Sequence, residues 1–321
     1  MATLATVAVN GARTRARDSK RISDLKQIST ALEMYYADYT AYPSIITPGQ
    51  PLVSADGSKT YMAKVPNNPT PRAEGACADL DYQYAAGNDN YSLIGCLSKA
   101  VGDVPAGARR IEKSGQTRDL GPTNGLVGWW MLDGINGTKD LAGGKTATII
   151  GGISTSTGRF GEANGSYYSD GGGGSYLSVP NFNWAQTPAN YTYSVFAWVK
   201  IGVQNEQYLI SSWSQGLKLV HGTTNNMLLY AHNSLYQYGY VNLQDGTWHF
   251  VGFVFRGSDS YKQIYVDNNY VVSGNGLAVT SVAIASTINL FTQSLGYVSD
   301  VRIYDRVLSA AEVSALYNAT R

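Results

Sequence analysis

Tyr236, Tyr238 and Tyr240, in the stretch SLYQYGYVN, have the spacing most suggestive of a binding surface in this chain. Alternate residues of a strand share a face, so the three rings would form one stripe with Asn233 and Gln237 beside it. Such a stripe can offer ring faces to the apolar faces of pyranose sugars. It can equally be the buried side of a sheet with its hydroxyls reaching the rim, and both readings stand at this level. Cys77 and Cys96 are the only cysteines. They permit a single disulfide, which implies an oxidising compartment, and no Cys-x-x-Cys accompanies them to suggest zinc. Groups for catalysis are sparse. The second half has only Glu162, Glu206 and Glu312, far apart in sequence, where glycoside cleavage needs two facing carboxylates. No Gly-x-Ser-x-Gly elbow accompanies His221, His232 and His249. The residues therefore predict a non-enzyme, although two aspartates brought together by folding would reopen glycosidase chemistry.

These residues sit in a chain of 321 with 24 Lys+Arg against 23 Asp+Glu, a net charge of +1. That balance gives no electrostatic case for nucleic acid or for a membrane surface. No apolar run approaches the ~20 residues that span a bilayer. The 35 Gly and 24 Tyr point to many turns and short strands. The stretch 103–125, polar and rich in Gly and Pro, reads as a linker between residues 1–102 and residues 126–321. The fold class expected is α+β: a long N-terminal helix on a small antiparallel sheet, then an all-β jelly-roll sandwich ending in a short helix.

In the first part, Ile22, Leu25, Ile28, Leu32, Tyr35, Tyr36 and Tyr39 recur in three- and four-residue steps, the mark of one helix face, and Pro43 ends the run. A helix of about 40 residues would be about 60 Å long, too long for a compact domain of this size to cover, so its front is expected to project. The stretch ARDSKRISDLKQISTALEMYYADYTAYP resembles the helix of type IV pilins and of the related type II secretion pseudopilins. TYMAKVPNNPTPR resembles that family's loop, and DYQYAAGNDNYSLIGCL its closing strands. The prepilin peptidase site and the acidic residue near the mature N-terminus, both usual in that family, are absent. The resemblance implies a filament in which copies of the chain associate through residues 1–42. It also implies membrane insertion only through a segment upstream of Met1, and a cell-surface location. Arg13, Arg15, Arg17, Lys20 and Arg21 are expected to face acidic groups of neighbouring copies, or solvent.

In the second part, Val195, Ala197 and Val199 alternate with Phe196, Trp198 and Lys200, and Asp267-Asn268-Asn269 reads as a hairpin turn. Ser309 and Glu312 have capping-box spacing at the start of a last helix. GLVGWWMLDG, WHFVGFVF, IYVDNN and VRIYDRVLSAAEVSALYN together resemble the laminin-G-like, concanavalin A-like jelly-roll superfamily. That resemblance implies a module binding a glycan or a surface protein. Many relatives hold calcium at a rim of carboxylates and carbonyls, which makes Asp133, Asp140, Asp170 and Asp300 candidates, with Asp170 and Asp300 the leading pair. Hard cations need six to eight oxygens, and Asp beside Gly is also what tight turns select. The function expected is a surface filament subunit displaying a lectin-like module. The alternative is a polysaccharide-active enzyme, or a secretion pseudopilin, carrying a carbohydrate-binding module.

Overall fold

The computed structural model describes the chain apart from Met1, Asn88, Ser114, Gln116, residues 183–191, 203–206, 212–217, 222–226 and 233–234, Ser260, residues 276–286 and Gln293. For residues 2–6, 207, 209–210, 218–221, 227–232, 235–240 and 272–275 it describes the backbone alone. The class is α+β, and the chain divides into two units, Met1–Asn124 with Ala315–Arg321, and Gly125–Ser314.

The first unit opens with helix α1 (Ala2–Tyr39), followed by the paired strands β1 (Leu52–Val53) and β2 (Thr60–Met62). An antiparallel sheet then runs in the order β3 (Gln83–Ala86), β4 (Tyr91–Leu97), β5 (Gly107–Ile111), β6 (Thr117–Gly121). The last two strands correct the sequence reading, because 103–125 is not a linker. Four of its charges, Arg109, Arg110, Arg118 and Asp119, are strand residues. Arg109 lies opposite Asp119 in register and bonds it at 3.1 Å. Gly107 and Gly121, both at positive φ, interrupt the apolar alternation that would have marked strands.

The buried stripe of α1 has two halves. Leu25, Ile28, Leu32 and Tyr35 form the apolar half, packed with Tyr82, Tyr91, Leu93 and Ile111 of the sheet side. Gly95 lets helix and sheet approach, since a Cβ there would stand 2.8 Å from the Leu25 side chain. The stripe continues toward the N-terminus through Thr14, Asp18, Arg21 and Asp24, all buried and polar. Arg21 is fully buried, and all five of its N–H groups donate. They go to Asn68 Oδ1, Asp18 Oδ1, Ser98 Oγ and the carbonyls of Pro69 and Pro71, at 2.6–3.0 Å. Asp18 in turn accepts from the amides of Ser98 and Lys99, both at 2.9 Å. A buried ion pair persists only when its remaining hydrogen-bonding capacity is met, and here the Pro-rich loop and the end of β4 meet it. Arg17 pairs with Glu74 at 2.7 Å. Lys20 pairs with Asp24 at 2.8 Å, so three of the five basic residues expected to face neighbouring copies or solvent bind their own domain. The Cys77–Cys96 disulfide is formed, tying the loop after Glu74 to β4.

The second unit contains β7 (Leu126–Trp130), β8 (Thr148–Ile150), β9 (Ile153–Ser156), β10 (Ser166–Asp170), β11 (Tyr176–Val179), β12 (Thr192–Ile201), β13 (Gln207–Ser211), β14 (Lys218–His221), β15 (Met227–His232) and β16 (Leu235–Tyr240). It continues with β17 (His249–Arg256), β18 (Tyr261–Val266), β19 (Asn269–Asn275), β20 (Ile288–Thr292) and β21 (Leu295–Tyr304), and helix α2 (Ala310–Thr320) follows. Among the described residues the strands form two antiparallel sheets. One has the order β19-β18-β17-β12-β21-β10-β9, with β7 also on β21, and the other β16-β15-β14-β13-β20-β11-β8. Val195, Ala197, Val199, Val251, Phe253 and Ile303 of the first sheet share one core with Leu177, Val179, Ile288 and Leu290 of the second. This is the expected sandwich. Asp267 and Asn268 both have positive φ between paired Val266 and Asn269, the two-residue turn whose twist suits a hairpin. At the last helix, the Ser309 amide donates to Glu312 and the Glu312 amide to Ser309 Oγ, as the capping spacing predicts.

Candidate functional site

The expected tyrosine stripe lies on β16, which ends the order of the second sheet and pairs with β15: Tyr236 opposite Ala231, Gln237 opposite Tyr230, Tyr238 opposite Leu229, Tyr240 opposite Met227. The side chains of Tyr236, Gln237, Tyr238 and Tyr240 lie outside the described residues, as does Asn233 altogether.

The four aspartates proposed for calcium do not converge. Among the described residues, no group of three or more Asp, Glu, His or Cys is placed to hold a metal. Asp133 accepts from the amides of Ile135 and Asn136 in its own turn. Asp140 accepts from the amides of Trp129, Ala142, Gly143 and Lys145. Asp170 accepts from the Gly172 amide and the Ser175 hydroxyl, and the first of these leads in holding its pKa below the usual value. Asp300 is buried and bonded to Arg302 at 2.8 and 2.9 Å and to the Trp129 indole at 2.8 Å. Burial opposes its charge, yet Arg302 and Trp129 keep its pKa lowered. Asp133, Asp140 and Asp300 thus use both carboxylate oxygens on donors of the protein, and Asp170 uses Oδ1. Turn chemistry accounts for the Asp-Gly pattern.

A surface site does form, on the side of the first sheet facing away from the core. Tyr167, Val199 and Val298 point into the core, so their neighbours Tyr168, Lys200 and Tyr297 point out. Register places these together: Tyr168 opposite Tyr297, and Tyr297 opposite Lys200. The rings of Tyr168 and Tyr297 are 5.0 Å apart, and that of Trp248 is 6.2 Å from Tyr297. All three are half-buried, so each keeps part of its ring open to water. Lys200 Nζ stands 5.5 Å from the Tyr297 centroid. One step along β12, Trp198 is covered by the Arg159 guanidinium at 4.5 Å, and the same guanidinium lies 5.0 Å from the exposed Phe160 ring. The surface is a row of aromatic rings carrying two cations. That Trp198 and Lys200 share a face, alternating with Val199, is legible in the sequence. The other residues come from strands and loops brought together only by register.

Beside Trp248 lies a second feature that the sequence does not announce. His249 is buried and held between two carboxylates, Nδ1 to Asp267 at 2.7 Å and Nε2 to Asp245 at 3.0 Å. The bond to Asp267 leads in raising its pKa, against burial, and Asp245 adds to it. The carboxyl of Asp245, held first by the Thr247 amide and hydroxyl and then by His249, drops to about 2.

Residues 170–314 match the family described as the concanavalin A-like lectin/glucanases superfamily. The matched stretch lies within the second unit, whose two antiparallel sheets form the sandwich described above. Among solved structures, the receptor binding domain of botulinum neurotoxin C/D mosaic serotype is similar at 18% identity and a TM-score of 0.50, over 62% of this chain and 52% of that one. The binding domain of botulinum neurotoxin DC, solved in complex with rat synaptotagmin II, is similar at 14% and 0.50 over the same shares. Domain 4 of a GH43 extracellular arabinanase from Geobacillus stearothermophilus, solved in complex with arabinotriose, is similar at 18% and 0.47, over 60% of this chain and 98% of that domain. The chain spans about half the length of the neurotoxin domains, and at these identities the likeness is one of fold. No curated protein matches the chain.

Proposed function

We propose that the jelly roll binds saccharide on the row Tyr168–Tyr297–Trp248, and that the chain as a whole is a pilin-like filament subunit displaying this module at the cell surface. The observation that carries the first part is the row itself. Three touching rings left partly open to water, with cations at hand, suit the apolar C–H faces and the hydroxyls of a sugar. Such groups hold a ligand rather than cleave it, which favours binding over catalysis. The match to the concanavalin A-like lectin/glucanases superfamily supports the same reading, and the binding domain of neurotoxin DC, similar in fold, is solved in complex with synaptotagmin II. Tyr297→Ala and Trp248→Ala are expected to weaken saccharide binding about fivefold or more, taking the roughly 1–3 kcal/mol of a planar base stacked on an aromatic ring as the guide. Because these rings are half-exposed, thermal stability should hardly change, and EDTA should leave binding intact. Retained affinity in both variants, measured on a glycan array and by titration calorimetry, would remove the platform.

The second part is supported by the pilin-like sequence of α1, by its packing on a small antiparallel sheet, and by its exposed apolar side chains. Val7 is 66% exposed, Val9 49% and Met34 48%. Apolar side chains left in water along a 38-residue helix are what association with further copies would cover. The disulfide agrees with an extracytoplasmic location. No helix among the described residues is long and apolar enough to cross a membrane. Val9→Cys is expected to cross-link copies of the chain on the host surface under oxidation, with filaments visible by electron microscopy. Monomeric Val9→Cys protein at the native surface would count against assembly through α1.

A further inference from the structure

We infer that the row on the first sheet takes an acidic saccharide, one carrying carboxylate or sulfate groups, with Lys200 as the residue that selects it. The inference rests on the reading of the row as a sugar platform and narrows its ligand class.

Lys200 lies beside Tyr297, the ring that touches both others of the row. It is half-buried, on the same face as Tyr168 and Tyr297, and directly opposite Tyr297 in register. Among the described residues no carboxylate forms an ion pair with it, and its Nζ stands against the Tyr297 ring. Among the described residues, the carboxylates around this face have other bonded partners. Asp300 bonds Arg302 and Trp129 within the buried layer, and its charge also acts on Arg159. Asp245 and Asp267 hold His249, and Glu162 accepts from the Phe160 amide. Arg159 adds a second cation on the same side of β12, over Trp198 and Phe160. A cation laid along aromatic rings, with its stem packed and its head toward water, can keep a ring–sugar contact and reach an anionic substituent at the same time. A neutral sugar would use the rings and leave the Lys200 charge without a counterpart. An acidic one supplies it, and charge-assisted hydrogen bonds are about twice as strong as neutral ones. The whole chain offers no comparable pull, since its net charge is only +1, so the preference is local to this face.

The experiment uses the full chain with four probes: sodium polygalacturonate, unsulfated chondroitin, chondroitin sulfate and neutral dextran. Binding is followed by Trp fluorescence and calorimetry at low and high salt. The acidic probes should bind about tenfold or more tightly than dextran, with affinity falling as salt rises. Unsulfated chondroitin carries carboxylate alone and chondroitin sulfate carries carboxylate and sulfate on the same backbone, so comparing these two arms separates sulfate from carboxylate recognition, and polygalacturonate repeats the carboxylate arm on a different backbone. Lys200→Gln should lose about tenfold for acidic probes and leave dextran unchanged. Lys200→Glu should invert the preference, and Arg159→Gln should act in the same direction as Lys200→Gln. Unchanged melting temperatures establish that the variants are folded. Equal affinity for acidic and neutral probes, insensitive to Lys200→Gln, would overturn the inference while leaving the platform standing. Absence of binding to all four probes would overturn both.

Discussion

His249 is the residue through which pH acts most directly on the second unit. Its pKa is raised in the fold because the imidazolium bonds Asp267 first and Asp245 second. The stabilisation from this arrangement is therefore fully present below the unfolded histidine pKa of about 6.5 and is lost as pH rises through the higher folded value. The melting temperature should fall across the neutral range for the parent chain, and His249→Gln should flatten that slope. An imidazole titrating at or below about 6.5 by NMR would show the expectation wrong. In the sequence, His249 is one histidine in GTWHF with nothing to single it out. One partner lies four residues before it and the other eighteen after. The Asp267-Asn268-Asn269 turn was legible, yet its meaning for His249 required the pairing of β17 with β18, which brings the hairpin's end against the start of β17. The same holds for Tyr168, Tyr297 and Trp248, each unremarkable until strand register joins them.

At the level of elements, α1 shows what periodicity reveals and what it hides. The apolar half of its stripe follows from spacing alone, and the helix is as long as predicted. The polar half looked like a solvated basic face, because a charged residue at a helix position normally is one. Arg21 departs from that rule because Asn68, Ser98 and two proline carbonyls lie ready around it, and none of these can be inferred from the helix's own sequence. Arg21→Met should destabilise the first unit by about 3 kcal/mol or more, since it leaves Asp18 buried without its counter-charge. Arg15→Gln, at an exposed position on the same helix, should change stability by less than about 0.5 kcal/mol. Hydrogen exchange along β4 is the readout. Equal protection in the two variants would contradict the seating of α1 by this network. The mistaken linker has a related origin, since Arg109 and Asp119 neutralise one another across a ladder that composition alone could not reveal.

Taken as a molecule, the chain has two units held by different kinds of interior. The second is aliphatic and aromatic in the ordinary way, which is why its strands announced themselves by alternation. The first is rich in tyrosine, and several of its hydroxyls are bonded within the unit. Tyr82 donates to Asp24, Tyr84 to the Pro43 carbonyl, Tyr61 to Asp38, and Tyr91 shares a bond with Ser29. Burial is the first cause raising the pKa of Tyr82, Tyr84 and Tyr91 above the usual value of 10.0.

A nucleus made of phenols sets an alkaline ceiling for the unit that carries the disulfide. Free tyrosines in the opened chain surrender their protons near pH 10, while those inside retain them, so every step above that point favours opening. The first unit should come apart in strong base as one event, with phenolate absorbance appearing abruptly, whereas independent, gradual ionisation of the rings would mean that their hydroxyls were never enclosed.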